Sequence, residues 1–305
     1  MNLTKKEIKH SIELSLEESY KYCSEITKKN SSFYFGLCFV QKDFKKALFA
    51  VYAWMRYVDD IADTADKPIA ERISELDQVE KKTDSIWQSS PCLEDCIEPF
   101  WPALIDTINR FKLNKNCFDD MIFCQRQDLQ KQIYHTEEEL LDYCKLAAGS
   151  SVGRIFVNIF GLFGDETDQL AVICGISLQL TNILRDPIDD LNLDRVYIPT
   201  DLLGTNLKKP GDLINIPIDN QIKAKQKLID LTKLYYQRAF PLAKFLDRGR
   251  LTFLILMNYY WCVFNKICKE PQLIIDRNKT KLNWNNKLVV LGRSLIQWVN
   301  TGLKK

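Results

Sequence analysis

Apolar residues recur along this chain at intervals of three and four. Between Phe44 and Ala65 they fall at Leu48, Val51, Tyr52, Met55, Val58, Ile61 and Ala62, which places them on one side of a helix. The same period runs through Glu137–Gly161, Asp165–Leu191, Asn220–Leu246 and Leu251–Cys268. No alternation of apolar and polar residues persists long enough for a strand. The run VYIP, Val196–Pro199, is the one short β-like stretch. This pattern predicts an all-α fold, a single domain over residues 1–305, built of roughly ten helices.

The breaks agree with that division. Thr64–Pro68, TADKP, ends the first of these helices, because proline disfavours helical backbone at the residue before it. SSPCLED and EPFWP interrupt the chain near Pro91 and Pro102. Pro199–Pro217 reads as the longest loop, with Pro210-Gly211 as its turn. No Ser/Gly-rich linker and no fixed-period repeat divides the chain.

Two segments place charge where the pattern calls for apolar surroundings. In Arg56–Asp63, RYVDDIAD, Asp59 and Asp63 stand one turn apart on one helix face, with Arg56 three residues earlier. In Asn182–Asp190, NILRDPIDD, the residues Asn182, Asp186 and Asp190 form a second stripe. Gln179 extends it by a turn, and Arg185 and Asp189 flank it. Like charges at this spacing destabilise a helix unless a cation answers them. Oxygen donors on a fixed stripe suit Mg²⁺, which keeps waters and shares phosphate oxygens. Two such stripes facing each other would hold Mg²⁺ between themselves and a diphosphate. The alternatives are a solvated helix face and a buried ion-pair network neutralised by Arg56 and Arg185.

Composition narrows the classes. Hydrophobic residues make up 46% and charged residues 27%, an ordinary globular balance. The net charge of +2, from 42 basic and 40 acidic residues, argues against nucleic acid as a partner. The 10 cysteines are scattered without a C-x-x-C pair and only 2 histidines occur, so no common zinc spacing is present. The thiols read as reduced and buried, which implies a cytoplasmic protein. The N-terminus lacks the apolar core of a signal peptide. Leu251–Phe264 is shorter than the roughly 20 residues of a membrane span. It is expected to be a core helix, with a lipid-touching surface as the alternative.

The two acidic segments carry a resemblance. Arg56, Asp59 and Asp63, then N-I-L-R-D-x-x-x-D over Asn182–Asp190 followed by Arg195, Tyr197 and Pro199, are similar to the motifs of the squalene/phytoene synthase family. Between them DYCKLAAGSSVGRIF resembles the family's Y-C-x-x-x-A-G-x-V-G helix, with one extra residue between Ala148 and Val152. The likeness extends over most of the chain. It implies an isoprenoid-synthase helical fold around a central cavity. There, two prenyl diphosphates, commonly farnesyl diphosphate, would bind with Mg²⁺ and join head to head. One loses diphosphate to give an allylic cation, and the double bond of the other attacks it. The product is a cyclopropyl diphosphate such as presqualene diphosphate, which some members take on to squalene with NADPH. The alternatives are phytoene synthesis from geranylgeranyl diphosphate, and a non-catalytic assembly factor.

The resemblance also assigns residues. Asp59 and Asp63 match one metal site, and Asn182, Asp186 and Asp190 the other. Arg56, Arg185, Arg195 and Arg277 match positions near the diphosphates. Ser32 and Phe33 match the early cavity lining. Gln179, Tyr143, Tyr197 and Tyr260 match polar or aromatic positions near the reacting carbons, although Tyr143 and Tyr260 also read as core. Pro187 and Asp189 depart from the usual small apolar residue and Glu, and Asn192–Asp194 replaces a Gly-containing turn. Pro187 within a helix would cost about 3 kcal/mol. The last residues, WVNTGLKK, show no membrane anchor, so the expected relatives are the shorter type, with peripheral membrane contact for release of an apolar product.

Overall fold

The computed structural model describes residues 15–31, 34–88, 97–162, 164–246, 248–269 and 282–302. Ser32, Phe33 and Arg277 lie outside them. The described residues form helices and their connections, joined by one isolated parallel bridge between Ile133 and Val196. The all-α expectation is borne out, and the β-like VYIP run contributes only that bridge.

The fold is organised around α3, Lys42–Asp63, which follows α1 (Leu16–Asn30) and the short α2 (Tyr34–Leu37). The apolar period of α3 is buried on more than one side, from Ala47 to Ala62. Trp54 lies at its centre, with no exposed surface. Its indole nitrogen donates to Thr83 Oγ1 at 3.2 Å, on α4 (Ile69–Ser85). A buried indole N–H needs such a partner. Next come α5, Trp101–Phe111, and α6, Lys115–Gln130, whose Phe118 ring packs edge-on against Trp54 at 4.8 Å.

The Glu137–Gly161 helix is three pieces: α7 (Glu137–Cys144), a π-helical stretch (Lys145–Gly153) and α8 (Arg154–Ile159). The π stretch contains the interval where the sequence carries its extra residue, and wider turns of this kind absorb an insertion within a helix. It packs directly on α9, Asp165–Arg185. The contact is backbone to backbone. A Cβ on Gly175 would stand 2.2 Å from the Ala148 carbonyl oxygen, and one on Gly153 would stand 2.4 Å from that of Ala171.

The expected helix Asp165–Leu191 breaks at Asp186, which has φ −115° and ψ 26°. A new helix, α10 (Pro187–Asn192), starts with Pro187 as its first residue. Proline's missing N–H costs nothing there, and its fixed φ suits a helix start. The penalty for a mid-helix proline therefore does not arise. Pro199–Pro217 is also more ordered than expected, with α11 (Thr200–Leu203) and a 3₁₀ turn over Pro210–Asn215.

α12, Ile218–Ala239, packs on α9 and passes through a 3₁₀ turn, Phe240–Lys244, toward α13, Arg250–Ile267. α13 buries Leu254, Ile255, Leu256, Met257 and Phe264, as expected of a core helix. The apolar surface left open is instead on α14, Trp284–Gly302, which packs on α13.

Candidate active site

α3, α6, the π stretch and α9–α10 surround a cavity of about 270 Å³. α3 brings Tyr52, Met55, Arg56, Asp59 and Asp63 to its wall; α9 and α10 bring Gln179, Asn182, Asp186 and Asp190. The two predicted stripes thus face one space. Despite the break at Asp186 the second stripe keeps its register: the Asp186 amide donates to Asn182 O at 2.9 Å and the Asp190 amide to Asp186 O at 3.0 Å.

Arginines organise the first wall. Arg56 Nη1 donates to Asp59 Oδ2 at 3.0 Å, and Arg56 also pairs with Asp60. Arg195 is 6% exposed and reaches across from the segment after α10. It donates to Asp63 Oδ1 at 2.8 Å, to the Ala62 carbonyl at 3.1 Å and to the Asp128 carbonyl at 3.1 Å. Arg195 therefore also caps the carboxyl end of α3, where a cation offsets the helix dipole. Asp194 precedes it with φ 56°. This is the left-handed conformation that glycine takes in such turns, and Asp tolerates it better than most residues. That accounts for the departure at Asn192–Asp194.

Arg185 and Tyr260 stand behind the wall. Arg185 is not among the residues that line the cavity; its Nε donates to both carboxylate oxygens of Asp186 at 2.9 Å, and it engages the buried Tyr260 hydroxyl. Tyr143 and Tyr197 line the cavity and stack at 4.7 Å.

Two lining residues were missed in the sequence. Asp128 accepts from Tyr197 OH at 2.8 Å and from Tyr143 OH at 3.1 Å, so one carboxylate orients both rings. Gln125 Nε2 donates to Asp59 Oδ1 at 3.2 Å. Gln125 and Asp128 share one face of α6 among Met121, Ile122 and Leu129, the signal that could have drawn attention to them.

Burial works against the charge on these acids. It pushes the Asp59 carboxyl up to about 7, with neighbouring Asp63 adding to the effect. The Asp59 side chain keeps 34% exposure and lines the cavity, so cavity water tempers that rise. Burial lifts Asp128 to about 6, opposed by Arg195 and the two tyrosine hydroxyls. Asp190 is raised by burial and by Asp186.

Among the described residues no three acidic, cysteine or histidine side chains already form a ligand cluster. The donor set nevertheless fits a divalent cation. Among the described residues, Asp59, Asp63, Asp128, Asp186 and Asp190 line the cavity against two lining guanidiniums, Arg56 and Arg195. Asn182 Oδ1 is buried without a hydrogen-bond partner. Carboxylate and amide oxygens in excess of cations are the ligands of hard metal ions. The ion-pair network foreseen as an alternative exists, but it leaves this surplus unanswered.

The polar cavity adjoins an apolar pocket of about 140 Å³, and the two share Ala147, Val152, Phe156, Gln179 and Asn182. Phe160, Leu246, Phe253, Leu256 and Met257 line the rest.

The chain is similar to known proteins in sequence and in fold. The family model described as squalene/phytoene synthase matches residues 26–286. A phytoene synthase of Mycobacterium bovis is 34% identical over 293 residues, which cover 94% of each chain. A presqualene diphosphate synthase of Rhodopseudomonas palustris is 35% identical over 174 residues, 57% of this chain and 60% of that one. A crystal structure of a dehydrosqualene synthase in complex with ligand superposes with a TM-score of 0.80 at 23% identity, covering 93% of this chain and 98% of that one, which shows the fold. The chain therefore belongs to the squalene/phytoene synthase family, prenyltransferases that condense prenyl diphosphates head to head.

Proposed function

We propose that this chain joins two farnesyl diphosphates, with Mg²⁺, to presqualene diphosphate and, where NADPH supplies hydride, onward to squalene. The observation that carries this reading is an acid-rich, arginine-bearing cavity adjoining an apolar pocket. Ionising an allylic diphosphate separates a carbocation from a highly charged leaving group. The pocket excludes water that would quench the cation. Arg56 and Arg195 stabilise the departing diphosphate. Tyr143 and Tyr197, held at the cavity wall by Asp128, orient the reacting ends. Mg²⁺ held by Asp59 and Asp63 on one wall and by Asn182, Asp186 and Asp190 on the other would neutralise the leaving group.

The chain length of the substrate has two readings. The pocket is about 140 Å³, close to the roughly 150 Å³ cavity that holds one benzene. The shorter farnesyl tail demands less expansion of it. The relative named phytoene synthase, matched over nearly its whole length, favours geranylgeranyl diphosphate instead. Offering both substrates with Mg²⁺, with and without NADPH, and weighing the extracted lipids decides between C30 and C40 products. Absence of any product and of diphosphate release would sink both readings. Asp59→Ala and Asp186→Ala should abolish turnover with the fold intact. If these variants instead retain the full cellular role, the chain is a scaffold. An apolar product would leave through peripheral contact with a membrane.

A further inference from the structure

α14 (Trp284–Gly302) carries apolar residues on two opposite sides. One side buries Val290 and Ser294 against α13, where Asn258 Nδ2 donates to Ser294 Oγ at 2.9 Å and to Gln297 Oε1 at 2.7 Å. The other side exposes Trp284, Leu288, Val289, Leu295, Ile296 and Val299, with Trp284 at 67% and Val289 and Ile296 at 65%. At 3.6 residues per turn these six fall within an arc of about 140°, and no charged residue shares it. An apolar stripe of this extent marks an interaction surface.

The charge around the stripe identifies its partner. From Leu282 to Lys305 the sequence holds Lys287, Arg293, Lys304 and Lys305 and no Asp or Glu, in a chain otherwise near balance. A second copy docking through the same face would bring these like charges together. Anionic headgroups would complement them. The exposed Trp284 and Trp298 near the two ends suit a lipid–water boundary, where tryptophan is enriched.

We propose that α14 lies in the surface of an anionic lipid bilayer. Its apolar stripe enters the headgroup–acyl boundary, and Lys287 and Arg293 meet lipid phosphates. Among the described residues no helix is long and apolar enough to cross a membrane, so the helix lies on the bilayer rather than spanning it. α13, on which α14 packs, lines the apolar pocket through Phe253, Leu256 and Met257. α13 and α14 thus stand between the pocket and the lipid. This specifies the membrane contact proposed above and rests on that reading only for its use in product release.

Flotation of the full chain with phosphatidylglycerol-containing and phosphatidylcholine-only vesicles, without substrate, tests it. The protein should float with the anionic vesicles, less so at high salt. Val289→Asp/Ile296→Asp should reduce partitioning about tenfold or more, and Lys287→Gln/Arg293→Gln roughly thirtyfold. Unchanged thermal unfolding would show that the variants fold. Failure of the parent chain to float, or equal flotation of the variants, overturns the proposal. So does a concentration-dependent dimer that Val289→Asp/Ile296→Asp dissolves. Activity in detergent is read separately: its absence beside intact flotation would remove the catalytic reading and leave the lipid surface standing.

Discussion

Asp128→Asn should stabilise the folded protein at neutral pH while it impairs turnover. Asp128 is 6% exposed, and burial lifts its carboxyl to about 6. Against about 3.9 for a free aspartate, and at about 1.36 kcal/mol per pH unit, the rise corresponds to roughly 3 kcal/mol. The sign follows from proton binding. Between these two values the folded protein holds a proton that the unfolded chain has released, so stability falls as pH rises through the window. The penalty is absent below about 3.9 and complete above about 6. Asparagine mimics the neutral carboxyl and removes it. One of the Tyr143 and Tyr197 hydroxyls, both now donors, must turn to accept from the new amide, at about 1 kcal/mol. The Arg195 bond survives, because it ends on the Asp128 backbone carbonyl. A net gain of about 2 kcal/mol above pH 6 remains, a few degrees in Tm. Turnover should fall by up to about 100-fold, because the two rings lose the group that aligns them. Unfolding from pH 4 to 8 in both proteins, without Mg²⁺, isolates the effect. A variant with the parent's pH slope, or one less stable at pH 7.5, would refute the reasoning.

Three other outcomes follow from the cavity and its walls. Because Asp59 is held up at about 7, a cation must displace its proton. Protection by Mg²⁺ alone should weaken as pH falls through about 7, read by thermal shift; a flat response from pH 6 to 8 contradicts this. Gly175→Ala places a methyl 2.2 Å from the Ala148 carbonyl oxygen, so the π stretch and α9 must separate. The expected loss is about 1–3 kcal/mol, and an unchanged Tm would deny the close approach. Pro187→Ala should cost less than about 1 kcal/mol, through the unfolded chain alone. A gain near 3 kcal/mol would mean that proline interrupts a continuous helix.

The helices could be read from the sequence because burial enforces the apolar period. α3, α9, α12 and α13 each pack on more than one neighbour, and their apolar residues repeat accordingly. Pro187 was misplaced for a related reason. Asn182, Asp186 and Asp190 keep helical spacing across the break, so the pattern runs on where the backbone does not. Only the dihedral angles of Asp186 distinguish a helix start from a helix interior. The segment Pro199–Pro217 was read as loop because α11 and its 3₁₀ turn are too short to show a period.

The charge balance of the cavity was legible only in part, because most of it exists only once distant elements meet. Arg56 and Asp59 are three residues apart, and their pairing could be foreseen. Arg195 and Asp63 are 132 residues apart, and nothing local joins them. Asp128 sits in a stretch, CQRQDLQ, that looks like a solvated face until Tyr143 and Tyr197 close over it. Among the described residues, five carboxylates against Arg56, Arg195 and, behind the wall, Arg185 is therefore a tertiary property. Each arginine already holds one of the acids foreseen as ligands: Asp59, Asp63 or Asp186. An ion-pair network built only for stability would match its charges, since an unpaired buried charge costs several kcal/mol. This one leaves Asp190 and Asp128 lifted by burial, and Asn182 Oδ1 without a donor. That imbalance is stability given up at a cavity, and it is the charge that the proposed cations would answer.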